Sequence, residues 1–118
     1  MARLDELEVY QLSMQLGESI WEIVAEWDNF EKWTVGKQMV TSADSIGANI
    51  AEGYGRFHFK ENRQFLYYAR GSLYELNAWL TKAASRELIP DHHFKELIER
   101  TTVLGKMLNG YIRSIGRD

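Results

Sequence analysis

The sequence predicts an all-α protein, an antiparallel up-down-up-down four-helix bundle, and three observations predict it. Apolar residues recur at spacings of three and four along four long stretches, the period that holds one stripe of a helix against a core. No stretch shows the polar and apolar alternation of a half-buried strand. Short turns join the stretches, which makes neighbouring helices antiparallel. With 118 residues, 45% of them hydrophobic, the chain has material for one domain over 1–118 and a core that needs no staples.

The first helix is expected over 5–27, with Val9, Leu12, Leu16, Ile20, Ile23, Val24 and Trp27 as its inward line. Glu8, Gln11, Gln15, Glu18, Glu22 and Glu26 form a separate acidic stripe. A turn is expected at Asp28 to Trp33, with Thr34 capping a second helix over 34–54. The third helix, 60–87, carries the clearest repeat: Asn62, Leu66, Ala69, Leu73, Leu76, Leu80 and Ala83. Its alternating steps of four and three are those of heptad-like bundle packing. Pro90 marks a break, and Asp91 is expected to cap the fourth helix over 91–115. Phe94, Leu97, Ile98, Thr101, Leu104, Leu108, Tyr111, Ile112 and Ile115 form the inward line of that helix.

The stretch from Ser45 to Arg56 organises the rest. Met39, Ala43, Ile46 and Ile50 lie on its apolar stripe, and Ser42, Ser45, Asn49, Glu52 and Arg56 repeat beside it as a polar seam. Polar groups bordering a core need hydrogen-bond partners, expected here on another helix or another chain. Gly53 and Gly55 are expected to end the helix in the left-handed region, and Gly47 to let a neighbouring backbone approach.

Composition narrows the class. There are no cysteines, which removes disulfides and thiolate metal sites and fits a reducing cytoplasm. Neither a signal peptide nor a run long enough to span a membrane is visible. The net charge of -3 gives no overall pull toward nucleic acid or an anionic membrane. It is unevenly placed, however: residues 1–30 hold seven acids and one base, and residues 57–118 hold ten bases and seven acids.

The segment S-I-x-A-N-I-A-E-G-x-x-R, Ser45 to Arg56, together with A-x-G-S-x-x-E-L at Ala69 to Leu76 and the opening Leu7-Glu8-Val9-Tyr10-Gln11, resembles a known family. It is the four-helix-bundle family first noted in intervening sequences of bacterial 23S ribosomal RNA genes. The resemblance implies a bundle that assembles into homopentamers, and kinship with the accessory protein of diversity-generating retroelements, which works with a reverse transcriptase and nucleic acid. It implies no enzymatic activity. Gly47 stands where the family usually has proline, and Thr41 and Ser42 stand where it often has a basic pair.

Two candidate surfaces follow from the third helix. Phe65, Tyr68, Ser72, Glu75 and Trp79 run beside its core line, and with Ser45, Asn49, Glu52 and Arg56 they are expected to form a subunit interface and polar network. On the opposite flank, Lys60, Arg63, Tyr67, Arg70 and Tyr74 interleave bases with aromatic rings and include no acid, the pattern that meets phosphates and stacks on unpaired bases. Lys106, Arg113 and Arg117 of the fourth helix are expected to extend it. Pairing of these bases with the acidic stripe of the first helix is the structural alternative.

Catalytic and metal readings find no support in the residues. Glu52 and Glu75 lack the histidine three residues on that bundle metal sites use, and Arg56 offers Glu52 an ion-pair partner one turn away. His92 and His93 are adjacent, so they point about 100° apart on a helix and are poorly placed to share one ion. No cofactor motif appears. The expected function is therefore non-enzymatic: a self-assembling bundle acting as an adaptor for RNA, DNA or a nucleic-acid-handling protein. A purely protein-binding scaffold is the competing class, with a metal-dependent bundle enzyme behind it.

Overall fold

Four long helices carry the apolar lines in the computed structural model, which describes residues 3–116. After a 3-10 turn at Leu4–Glu6, they are α1 (Glu8–Ala25), α2 (Lys37–Tyr54), α3 (Phe59–Ser85) and α4 (Asp91–Ser114). No strand occurs among the described residues. The bundle measures 48 × 23 × 20 Å. α1 packs on α2 and α4, and α3 packs on α2 and α4, so α1 and α3 are diagonal partners.

The core follows the expected spacing closely. Leu66, Ala69, Leu73, Leu76, Leu80 and Ala83 of α3 are all buried, as are Met39, Ala43, Ile46 and Ile50 of α2 and Leu97, Thr101, Leu104, Leu108 and Ile112 of α4. Val9, Leu16, Ile20 and Val24 are buried on α1, while Leu12, Ile23 and Trp27 are half-buried at its margin. Asn62, the first member of the α3 line, is half-buried at the bundle end; its Oδ1 is buried without a partner. Burial pushes the nearby Tyr111 hydroxyl above its ordinary range, against the opposing pull of its hydrogen bond with Asn62.

Several boundaries differ from the expectation, each for a local reason. Thr34 does not cap α2. A helical turn at Asn29–Glu31 and a π-helical segment at Lys32–Gly36 lead into α2, and the Thr34 hydroxyl donates back to the Phe30 carbonyl at 2.6 Å, so it is satisfied inside the helix. Pro90, not Asp91, occupies the cap position of α4; Asp91 sits in the first turn and pairs with Lys95 at 3.1 Å. α1 stops at Ala25. α3 stops at Ser85, and Glu87 takes a left-handed φ of 61° in the turn that follows.

The glycines of the organising stretch act by proximity. Gly55 closes α2 at φ -76°, in the ordinary right-handed region, and Gly53 lies within the helix. A Cβ on Gly53 would stand 2.7 Å from Asn62 Oδ1 and 2.9 Å from the Asn62 carbonyl oxygen, so this glycine lets the start of α3 approach. At Gly47 the neighbour that approaches is a side chain, Met14, and not a backbone.

Candidate nucleic-acid interface

The bases and tyrosines of α3 meet α4 along a groove, and their roles there divide. Arg70 donates to Asn109 Oδ1 of α4 at 3.1 Å, and its guanidinium lies 5.1 Å from the centre of the Tyr67 ring. Tyr67, Arg70, Asn109, Ile112 and Arg113 line an open hollow of about 540 Å³. A second hollow of about 250 Å³ adjoins it, sharing Arg70 and Asn109 and adding Tyr74, Asn77, Thr102 and Lys106. Among the described residues, no acid lines either hollow.

Arg63 has a different role. Its guanidinium donates to the Ile115 carbonyl at 3.2 Å, placing a cation at the end of α4, where the helix presents unpaired carbonyls. Lys60 is exposed but lines neither hollow. Lys106 and Arg113 are exposed and belong to the groove; Arg117 lies outside the described residues.

The acidic stripe of α1 does not neutralise this groove within the protomer. α1 is diagonal to α3, and none of the ion pairs among the described residues joins Glu8, Glu18, Glu22 or Glu26 to a base of α3. The cross-bundle polar link from α1 is instead a hydrogen bond from Arg100 to Ser19 at 2.9 Å.

The other flank of α3 is more self-contained than expected. Ser42, Ser45 and Asn49 donate to the carbonyls of Gln38, Thr41 and Ser45, four residues back on their own helix. Within the protomer these three side chains find partners on their own helix, where another helix was expected, whereas Arg56 of the same seam does reach another helix. Arg56 pairs with Glu52 at 3.1 Å and Glu61 at 3.8 Å and lies 4.7 Å over the Phe65 ring, tying the end of α2 to the start of α3. Phe65 meets Tyr68 edge to face at 5.5 Å, and the Trp79 indole donates to Glu75 at 3.2 Å. Ser72, Phe65 and Trp79 are half-buried, which leaves Tyr68, 50% exposed, as the large open ring of this flank. Glu52 and Glu75 are thus engaged by Arg56 and Trp79. Among the described residues, no group of three or more histidine, aspartate or glutamate side chains is placed to hold a metal ion.

An apolar hollow of about 340 Å³ lies between the end of α1 and the π-helical segment, walled by Trp21, Val24, Trp33, Gly36 and Val40. Trp21 and Trp33 are 58% and 69% exposed. The inward pattern of the sequence singles out neither. Trp21 lies off the inward line of α1, and Trp33 falls in the expected turn; a large ring on a face with no core to join is the signal the sequence holds. Asn77, Thr102 and Asn109 also escaped notice, because neutral polar residues on outward faces are indistinguishable from solvated ones until a facing helix supplies the groove.

Helical architecture, a basic groove carrying tyrosines and a second flank of half-buried rings define a small helical-bundle protein. Residues 5–110 match the family model described as 23S rRNA-intervening sequence protein, and the chain belongs to that family. It is similar to a crystal structure of a protein of unknown function from the S23 ribosomal protein family of Bacteroides thetaiotaomicron VPI-5482. The TM-score is 0.83, with 23% identity over 89% of this chain and 98% of the other, a likeness of fold. No curated protein matches the chain. No helix among the described residues is long and apolar enough to cross a membrane.

Proposed function

We propose that this chain is a non-enzymatic, self-assembling adaptor of the cytoplasm that holds nucleic acid in the groove between α3 and α4. One observation carries the reading: Arg70, Lys106 and Arg113 line adjoining hollows with Tyr67 and Tyr74 and with no acid among them. Clustered cations supply the phosphate-binding energy that a net charge of -3 does not. Assembly of identical subunits, a pentamer by family resemblance, multiplies a weak groove into a useful affinity. Tyr68 is the ring of the α3 flank left open for a subunit contact.

The test uses exposed residues, because Arg63 and Arg70 also hold α4 in place. Lys106→Glu with Arg113→Glu is expected to abolish salt-sensitive oligonucleotide binding while leaving the assembled mass unchanged in light scattering. Absence of binding by the unmodified protein at low salt overturns the reading. Tyr68→Glu is expected to yield smaller species in the same instrument, and an unchanged mass refutes that contact. The second reading, a protein-binding scaffold without nucleic-acid contact, is favoured by the apolar hollow beside Trp21 and Trp33. Failure of the oligonucleotide experiment would leave that hollow as the surface to probe.

A further inference from the structure

We infer that the groove selects unpaired, single-stranded nucleic acid over a duplex, an inference that rests on the binding reading above. Cations do not make this choice by themselves, because phosphates line a single strand and a duplex alike. The rings make it. Tyr67 and Tyr74 are 43% and 66% exposed. Seven residues separate them on α3, which places them two turns, about 10 Å, apart along one side of the helix. Bases within a duplex are stacked on one another and offer only their edges to the grooves, so an open tyrosine face can be met only by a base that has left its pair.

Three further features of the groove suit an unpaired strand. Arg70 is held 5.1 Å over the Tyr67 ring with its guanidinium bonded to Asn109, and a held guanidinium is a stacking surface for a base as well as a charge for its phosphate. Gly71, between the two tyrosines in sequence, has nothing within 4 Å of where a Cβ would stand, so a strand passing from one ring to the other meets bare helix backbone. The hollow beside Tyr74 is walled in part by Thr102 and Asn109; the Asn109 amide nitrogen can donate to a base edge, and the Thr102 hydroxyl, which donates to the Ile98 carbonyl, can accept from one. A duplex offers such groups only its groove edges, because pairing occupies the Watson–Crick edges, whereas an unpaired base offers both.

The experiment compares labelled oligothymidylate and oligouridylate with a duplex of equal length, by fluorescence anisotropy at one low ionic strength. The unmodified protein is expected to bind the single strands roughly tenfold or more tightly than the duplex. Tyr74→Leu and Tyr67→Leu are each expected to weaken single-strand binding by roughly fivefold or more and to leave duplex binding unchanged, while Tyr74→Phe retains the unmodified affinity. Equal affinity for strand and duplex, or leucine variants that bind as the unmodified protein does, would overturn the inference and leave a groove that holds phosphates alone. Binding of neither probe would overturn the groove reading together with it.

Discussion

Gly53 and Gly71 lie in neighbouring helices, and the same change to alanine is expected to act on them with opposite sign. Alanine is favoured over glycine in a helix interior by about 1 kcal/mol, through the backbone freedom it removes from the unfolded chain. At Gly71 nothing lies within 4 Å of the new methyl, so nearly the whole gain is kept. For a chain of this length about 4 °C of Tm accompanies each kcal/mol, so Gly71→Ala should melt roughly 2–4 °C higher. At Gly53 the methyl would stand 2.9 Å from the Asn62 carbonyl oxygen and 3.1 Å from Phe65 Cβ. Backbone cannot rotate away, so α2 and α3 must separate across the contact that buries Ile50 and Leu66. Overpacking of this kind costs about 1–3 kcal/mol, and after the helix-propensity gain a net loss of up to about 2 kcal/mol remains, or up to roughly 8 °C. Thermal unfolding by circular dichroism at matched protomer concentration decides it. A Gly53→Ala protein as stabilised as Gly71→Ala would refute the account of why α3 starts so close to α2.

Other perturbations are sharper in one direction. Leu76→Ala empties a fully buried site on α3 and should cost about 2–5 kcal/mol in urea unfolding. Arg70→Lys removes the guanidinium over the Tyr67 ring and its bond to Asn109, and a loss of about 1–2 kcal/mol in the same assay is expected. Asp44 has its carboxyl raised by burial first and by the Glu18 charge second. A folded pKa above the unfolded one means that the stability the group contributes is present at low pH and is lost as pH rises through the folded value. Asp44→Asn is therefore expected to be more stable than the unmodified protein at neutral pH, with the difference closing below about pH 4. A difference independent of pH would refute the electrostatic origin.

The bundle was legible in the sequence because helix packing writes itself in the order of residues. Every apolar member of the α3 line is buried, and Met39, Ala43, Ile46 and Ile50 fall where their spacing puts them. A period of three and four is a property of one helix, readable without knowing its neighbours. Cap assignments at Thr34 and Asp91 failed because a hydroxyl or carboxylate has several local ways to be satisfied, and the helix-internal bond at Thr34 and the ion pair at Asp91 won. Ser45 and Asn49 likewise bond to carbonyls of their own helix within the protomer.

The basic flank was visible as a stripe, yet its division of labour was not. Sequence alone established four helices, their inward faces and a run of bases and tyrosines along one side of the third. Tertiary structure decided how that run is engaged: Arg63 is bonded at the end of α4 and Arg70 is bridged to Asn109, while Lys106 and Arg113 of α4 stand exposed beside them. The physical reason is range. Periodicity arises from bonds between residues four apart, whereas a groove exists only where two helices distant in sequence are brought side by side, 39 positions apart in the case of Arg70 and Asn109.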